Sequence, residues 1–239
     1  CDGPENFLIS QREIAMNVNT REYWNSRFQS HDWSDKGGNI QSQQHANYFV
    51  KHLGLPKTFA GSICDAGCAE GDAIPVYRAA WPDATLTGVD FAQGAIDLAR
   101  EKYSQFGSFF SCDFEKVPES DVIIASHVFE HLDNHVQILE LLRTKCSTLF
   151  IVVPFREDPM GPEHLRVYDE HTYDEHAPVK FTTCPAGWHV SGFSKFFHID
   201  AKNVGRLLTG RPVVKMPMQI IFEFDGHKNQ SSRPEKSSL

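Results

Sequence analysis

The stretch ICDAGCAEGDAIPVYRAAWPDATLTGVDFA, residues 63–92, decides the fold of this chain. It contains an apolar strand, a glycine turn, a helix, a second apolar strand and a terminal acid, in that order. This order is typical of a parallel sheet whose strand ends bind a nucleotide-type cofactor. Apolar strands continue to alternate with helices as far as Pro154, which indicates that both faces of the sheet are covered. The sequence therefore predicts an α/β fold with a doubly wound, mainly parallel, Rossmann-like sheet.

The glycine turn indicates which kind of cofactor the fold would take. Dinucleotide sites use the pattern G-x-G-x-x-G, so that a pyrophosphate can lie against bare backbone. Here Asp65 takes the place of the first glycine, and Gly67 and Gly71 follow it. A carboxylate at this position repels a diphosphate at close range. It suits a cofactor that has no phosphate and carries a cationic end, and S-adenosylmethionine, with its ammonium and sulfonium groups, has both properties.

Four segments between Ser62 and Pro154 together resemble the motifs of the class I S-adenosylmethionine-dependent methyltransferases. They are DAGCAEG, GVDFAQGAIDLARE, SCDFEKVP and SDVIIASHVFEHLDN. The resemblance implies a Rossmann-like fold, S-adenosyl-L-methionine as cofactor and a transferase reaction, but it does not imply the substrate. The segment YWNSRF near the start is in addition similar to bacterial methyltransferases that act on small molecules or sugars.

The cofactor site is expected at the carboxyl ends of the strands. The predicted cofactor-binding residues are Asp65, Gly67, Cys68, Gly71, Asp90, Phe91, Asp113, Phe114, Ser126 and His127. An acid that ends the second strand accepts hydrogen bonds from ribose hydroxyls, which is the role expected of Asp90. By resemblance, Asp65 helps to hold the amino group of the cofactor and Asp113 takes the adenine amino group. Structural roles stay open: a tight turn for the glycines, a helix N-cap for Asp90 and a loop carboxylate for Asp113.

The segment 155–198 follows the fifth strand and shows no clear strand or helix period. Long irregular segments in compact domains are often lids or binding loops, so we expect a lid insertion here. It contains three acid–histidine pairs, Glu163–His164, Glu170–His171 and Glu175–His176. A solvated loop, a general base and a His/Glu metal site of the kind that some RNA-terminal methyltransferases use are all open interpretations. The segment offers no rigid pair of ligands spaced four residues apart on a helix, so no metal is predicted.

The candidate catalytic residues are His164, Glu163 and His171. His164 is the first choice for a general base because it comes soonest after the fifth strand, where substrate should meet the cofactor. Histidine also has an unperturbed pKa that suits proton removal from a hydroxyl near neutral pH. The residues predicted to line the acceptor pocket are Tyr168, Tyr173, His176, Trp188 and His189. In contrast, the segment FEHL, with Glu130 and His131, is mostly structural in the family that this chain resembles.

Charge and cysteine content exclude several classes of partner. The chain has 23 lysine and arginine residues against 31 aspartate and glutamate residues, a net charge of −8 without a long basic run. This argues against a nucleic-acid partner and favours a small-molecule or glycan acceptor. The absence of eighteen consecutive apolar residues predicts no membrane span. The six cysteines form no C-x-x-C pair, as expected for reduced thiols in a cytoplasmic protein rather than for a zinc site.

Five segments are expected along the chain. They are an N-terminal segment with cap helices (1–56), the S-adenosylmethionine-binding core (57–154), the lid (155–198), a C-terminal helix and strand (199–226) and a disordered tail (227–239). The expected activity is O-methylation of a small-molecule or sugar hydroxyl by a methyltransferase. A catalytically inactive S-adenosylmethionine-binding partner protein and a nicotinamide-dependent oxidoreductase are the alternatives. The acceptor and the oligomeric state are not indicated by the sequence.

Overall fold

The computed structural model describes residues 18–187, 201–213 and 215–227. The strands are β1 (Ser62–Ala66), β2 (Thr85–Asp90), β3 (Ser108–Ser111), β4 (Ser120–Ser126), β5 (Cys146–Pro154), β6 (Lys180–Pro185) and β7 (Met218–Asp225). The α-helices are α1 (Arg21–Gln29), α2 (Asp32–Asp35), α3 (Gly38–Phe49), α4 (Ile74–Ala80), α5 (Gln93–Tyr103), α6 (His135–Arg143) and α7 (Ala201–Leu208). Short 3₁₀ turns lie at Val50–His52, Phe114–Lys116, Phe129–His131 and Asp174–His176.

The seven strands form one sheet in the order β3-β2-β1-β4-β5-β7-β6. The strands β1 to β5 run parallel to one another, and β7 runs antiparallel to both β5 and β6. The predicted α/β fold with a mainly parallel sheet is therefore confirmed. The chain winds outward from β1 to β3 and then returns to the other side of β1 at β4. Such a reversal opens a crevice at the carboxyl ends of β1 and β4, where ligands of this fold bind.

Apolar layers on both faces of the sheet hold the fold together. The strand β1 is buried from Ile63 to Ala66, as a central parallel strand must be. On one face Phe49, Tyr77 and Trp81 pack into the core, and on the other face Phe129 packs with the inner residues of β5 and β7. Pro75 lies in the first turn of α4, where its missing amide costs no helical hydrogen bond.

The helices that precede the sheet form the predicted N-terminal cap. Trp24 and Phe28 of α1 pack against Ala92 and Ala95 at the start of α5. In α3, Ala46 and Phe49 instead belong to the core beneath the sheet. Within the cap, α1 therefore covers the carboxyl end of β2, whereas α3 packs on the core. Among the helices in the described part of the chain, none has the length and apolar character that crossing a membrane requires.

The region predicted as an irregular lid contains a strand. Residues Lys180–Pro185 form β6, which pairs antiparallel with β7 at the edge of the sheet, for example Phe181 with Phe222. An edge strand is paired on one side only and needs little apolar surface, and β6 has only one buried residue, Cys184. The alternation of apolar residues that would have revealed it is therefore weak. The C-terminal part of that region, 188–198, and the predicted tail beyond His227 lie outside the described residues.

Candidate functional site

A cavity of about 1000 Å³ lies at the carboxyl ends of β1, β2 and β4. Its volume is at the upper end of the range of small-ligand pockets, which leaves room for a cofactor and a second small molecule. The sheet contributes Asp65 and Asp90 to its wall, α1 contributes Trp24 and Arg27, and the segment after β5 contributes His164. The cap and the lid segment thus close the cavity over the sheet.

The glycine turn after β1 brings bare backbone to the cavity wall. Gly67 has a φ of +85°, and a Cβ atom placed on it would lie 2.4 Å from Val128 Cγ2. The amides of Gly67 and Cys68 both donate to the carbonyl of Val89, at 2.8 and 2.9 Å. Only glycine meets both the backbone conformation and the contact with Val128, so the turn approaches a ligand without side-chain interference.

Gly71 does not take the role that the sequence predicted. It also has a positive φ, of +79°, but it is buried and does not line the cavity. A Cβ atom there would meet the ring of Phe109 at 2.8 Å and Ala99 at 3.1 Å. Gly71 therefore allows the helix that follows the turn to pack closely on the sheet, and it is not among the residues that line the cavity.

Two buried carboxylates face the cavity, Asp65 at the end of β1 and Asp90 at the end of β2. Burial, and to a smaller extent the charge of Asp90, raise the pKa of Asp65 to about 7. Burial also raises the pKa of Asp90, against the opposing effect of its hydrogen bonds. Asp90 accepts from the amides of Ala69 and Ala92, at 3.0 and 2.9 Å, so it also fixes the turn into α5. Two desolvated carboxylates at one cavity wall favour a ligand with a cationic group.

Arg21, which the sequence did not single out, contacts the residues that follow β2 and β3. Its guanidinium lies 5.1 Å from the centre of the Phe91 ring and donates to the Phe91 carbonyl at 2.5 Å. It also forms an ion pair with the carboxylate of Asp113, whose side chain is 54% exposed. The carboxylate predicted to bind adenine is therefore paired with the cap, while Phe114 beside it lines the cavity as predicted.

The end of β4 presents Ser126 and His127 to the cavity, as predicted. His127 has a left-handed backbone, with φ of 55°, and its ring is stacked on His45 with 3.6 Å between ring centres. His127 Nε2 lies 3.1 Å from Gln219 Oε1 and its Nδ1 lies 3.2 Å from Glu130 Oε1. Burial, together with His127, holds the pKa of His45 well below its usual range, so that ring is neutral.

Glu130, His131 and His164 meet on the lid side of the cavity, and one nitrogen or oxygen atom of each lies within 4.8 Å of the others. Burial opposes ionisation of Glu130, yet His127, His131 and His164 lower its pKa below the usual value. Burial is also the main reason that the pKa of His131 is lowered. The rings of His131 and His164 are 5.0 Å apart and nearly perpendicular. The sequence predicted His164 for this site but not Glu130 or His131.

The carboxylate of Glu163 is engaged by the cap helix. Arg27 Nη1 lies 2.5 Å from Glu163 Oε1, and the hydroxyl of Tyr23 donates to the same oxygen. Asn19 in addition donates to the Glu163 carbonyl at 2.7 Å. A carboxylate held in this way joins the cap to the lid, and its contacts with Arg27 and Tyr23 do not favour the predicted catalytic role.

Four further predicted residues do not reach the cavity. The side chain of His171 is 73% exposed and lies beside Asp174, and His176 lies 3.3 Å from Glu140 of α6. Tyr168 and Tyr173 are fully buried in the core on the face of the sheet that also holds Phe129, and they do not line the cavity. Their segment has no regular period, so the sequence alone did not show which of its aromatic residues face inward. Trp188 and His189 lie outside the described residues.

Aromatic residues of the cap line the cavity on the lid side. They are Trp24, Phe28 and Trp33, with Arg27 among them. The guanidinium of Arg27 lies 5.2 Å from the ring centre of Trp24 and 5.8 Å from that of Trp33. The helical spacing of Trp24, Arg27 and Phe28 was the available signal, but that spacing predicts equally well a helix packed on the core.

Residues 63–146, from β1 to the start of β5, match the family model described as a methyltransferase domain. Trans-aconitate 2-methyltransferase of Rhodopseudomonas palustris strain HaA2 is 29% identical over 92 residues, which cover 38% of this chain and 36% of that protein. Malonyl-(acyl-carrier protein) O-methyltransferase of Acetivibrio thermocellus is 30% identical over 89 residues, 36% of this chain and 31% of that protein. The chain thus spans about a third of the length of these curated relatives.

Solved structures share the fold over most of the chain. The plantazolicin methyltransferase BpumL in complex with SAH is 17% identical, with a TM-score of 0.53 over 90% of this chain and 98% of that one. A putative methyltransferase in complex with the Haloferax volcanii Trm112 methyltransferase activator is 15% identical, with a TM-score of 0.60 over 85% of this chain and 98% of that one. At this sequence identity the similarity shows a common fold. It does not indicate which ligand or substrate this chain binds.

Proposed function

We propose that this chain, whose residues 63–146 match the model of a methyltransferase domain, transfers a methyl group from S-adenosylmethionine to a small-molecule hydroxyl. The observation that carries the proposal is the pair of buried carboxylates, Asp65 and Asp90, beside the glycine turn of a cavity at the sheet reversal. This wall suits a cationic ligand without phosphates. It is unsuited to a pyrophosphate, which argues against the nicotinamide-dependent oxidoreductase.

The residues of the cavity wall fit this cofactor, which supplies an electrophilic methyl group when it is bound. The carboxylate of Asp65 would pair with the ammonium group, and Gly67 would let the backbone approach the methionine part. Asp90 has acceptor capacity beyond its two backbone hydrogen bonds, so it can also receive the ribose hydroxyls. Ser126 and His127, at the end of β4, would lie near the sulfonium.

The acceptor is proposed to enter from the cap and lid side of the cavity. There the wall consists of the aromatic rings of Trp24 and Phe28 together with the cluster of Glu130, His131 and His164. A hydroxyl must lose its proton as its oxygen attacks the methyl carbon, and the histidine cluster is the part of the wall suited to promote this. The name of one relative, an O-methyltransferase, supports oxygen as the accepting atom. A sugar or another hydroxyl compound fits the volume.

Calorimetry with S-adenosylhomocysteine and NAD tests the cofactor. We expect S-adenosylhomocysteine to bind and NAD not to bind at the same concentrations. Asp90→Asn should weaken S-adenosylhomocysteine by about 1–3 kcal/mol, since it removes charge-assisted hydrogen bonds to two hydroxyls. Asp97→Asn, on the exposed face of α5, is the matched control and should have no effect. Micromolar affinity for NAD without a response to S-adenosylhomocysteine would contradict the proposal.

Transfer itself is tested with methyl-labelled S-adenosylmethionine and a panel of hydroxy acids, sugars and phenols. Incorporation of label into a hydroxyl compound is the expected result. Binding of S-adenosylhomocysteine without label transfer to any compound of the panel would instead favour the alternative, a catalytically inactive partner protein.

A further inference from the structure

We infer that Glu130, His131 and His164 form a binding site for one divalent transition-metal ion. One ligand atom from each lies within 4.8 Å of the others. Metal–ligand bonds of about 2.0–2.2 Å in a tetrahedral site place ligand atoms about 3.3–3.6 Å apart, so the three side chains would have to move closer together around the ion. Imidazole nitrogen and carboxylate oxygen are ligands that Zn²⁺ and its neighbours in the first transition row accept. Binding of the ion stands independently of the proposed function, whereas its catalytic role rests on it.

The first observation behind the inference is the environment of Glu130. Its side chain is 1% exposed, and neither carboxylate oxygen makes a hydrogen bond of ordinary geometry within the described residues. The nearest basic group is His127 Nδ1, 3.2 Å from Glu130 Oε1. A buried carboxylate without good hydrogen bonds costs several kcal/mol unless a cation compensates it. A bound metal ion would supply that cation.

The second observation is the arrangement of groups behind the two histidines. His164 Nδ1 lies 2.5 Å from the carboxylate of Glu157, and His131 Nδ1 lies 3.1 Å from the carbonyl oxygen of Glu163. Each outer oxygen accepts the proton of its Nδ1 and leaves the Nε2 lone pair for a ligand. Histidines that bind metals in proteins are held in this way by outer carboxylates and carbonyls.

The third observation is the position of the cluster. All three residues line the cavity, on the side where the acceptor is proposed to enter. Three protein ligands leave a fourth position open, as in catalytic zinc sites. An acceptor hydroxyl at that position would become more acidic and release its proton to solvent water. Its oxygen would then form a bond to the methyl carbon while the carbon–sulfur bond breaks and its electron pair stays on sulfur.

This inference replaces two expectations from the sequence. The lid was expected to bind no metal because it lacks a helical pair of ligands, but the structure combines one lid residue with two residues that follow β4. His164, expected to act as the base, would be a ligand instead. The lid segment alone indicates neither the proposed metal site nor the proposed role of His164 as a ligand.

The direct test is calorimetry of the full chain, stripped with a chelator, with Zn²⁺ or Mn²⁺ alone and without cofactor or acceptor. We expect one ion per chain. Glu130→Gln and His164→Ala should each weaken binding at least tenfold, and Glu157→Gln, which alters only the outer group, about 10–100-fold. His171→Ala, an exposed histidine outside the cavity, is the matched control and should bind the ion like the wild type.

A Co²⁺ spectrum provides a second measurement. The visible bands of the bound ion should appear in the wild type and weaken or shift in Glu130→Gln and Glu157→Gln. Two results would overturn the inference. One is that the stripped wild type binds no ion. The other is that Glu130→Gln, His164→Ala and Glu157→Gln all bind the ion with the affinity of the wild type. Should Glu130→Gln fail to fold, the Glu157→Gln comparison still decides it. Because these titrations contain no S-adenosylhomocysteine, their outcome is separate from that of the cofactor titration.

Discussion

The guanidinium of Arg27 in α1 lies 2.5 Å from the carboxylate of Glu163 in the segment after β5. These side chains are only 13% and 23% exposed, and Tyr23 donates to the same carboxylate. The contact joins the N-terminal cap to the lid across the mouth of the cavity. Opening the cavity on that side therefore requires this partly buried ion pair to separate.

Breaking that contact should speed ligand release. Glu163→Gln removes the charge but keeps a similar shape, and we expect S-adenosylhomocysteine to dissociate about 5–30-fold faster, the equivalent of about 1–2 kcal/mol. Stopped-flow release measures the rate. Glu140→Gln, which disrupts an ion pair with Arg143 on α6 outside the cavity, is the control. Equal release rates in the Glu163 variant and the wild type would show that the pair does not close the cavity.

The raised pKa of Asp65 predicts how cofactor binding depends on pH. The carboxyl gains a proton as the pH falls through about 7, and a protonated Asp65 attracts the ammonium group less. Affinity for S-adenosylhomocysteine should therefore decrease below pH 7, toward about tenfold per pH unit. Calorimetry between pH 6 and 7.5 measures this, and Asp65→Asn should bind more weakly with a flat profile. A flat profile in the wild type would place the ammonium elsewhere.

Asp65 should also make the stability of the ligand-free protein depend on pH, in the opposite direction to its effect on cofactor binding. Its pKa in the folded state lies above the value of about 3.9 expected in the unfolded chain. Between these two values the folded state binds more protons than the unfolded state. The contribution of Asp65 to the free energy of unfolding should therefore fall as the pH rises from about 4 to 7. A comparison of the wild type with Asp65→Asn in urea isolates this contribution.

Gly67→Ala should destabilise the fold. The substitution forces alanine into a φ of +85° and places its Cβ 2.4 Å from Val128 Cγ2. We expect the free energy of unfolding in urea to fall by about 2–4 kcal/mol. Adding Val128→Ala should recover the part due to the clash but not the part due to the backbone. Gly205→Ala in α7, where a Cβ meets nothing within 4 Å, should instead be neutral or slightly stabilising.

Tyr168→Phe should affect stability and leave the site unchanged. The Tyr168 hydroxyl donates to the Phe129 carbonyl at 2.9 Å in the core, away from the cavity. Its loss should lower the free energy of unfolding by about 0.5–1.5 kcal/mol. Affinity for S-adenosylhomocysteine should stay at the wild-type value. A clear loss of affinity in a stable variant would mean that Tyr168 contributes to the site after all.

The predicted site residues that line the cavity at the sheet are contiguous with regular elements. Asp65 and Asp90 end buried strands, and Gly67 follows one directly, so apolar periodicity and turn chemistry locate them without knowledge of distant contacts. Ser126 and His127 were located by the same logic at the end of β4. Gly71 lies in the same turn but packs against Phe109 and does not line the cavity, a difference that the local sequence pattern does not show.

The parts that only the tertiary structure decided depend on contacts between segments far apart in the chain. His164 meets Glu130 and His131, and Arg27 meets Glu163, because the cap and the lid fold over the same sheet edge. Tyr168 and Tyr173 were expected in the cavity and lie in the core. A segment without helical or strand periodicity does not show in its sequence which side chains are buried, since burial there depends on the packing of the whole domain. The sequence by itself therefore determined the fold and the wall proposed for the cofactor, and packing determined the opposite wall.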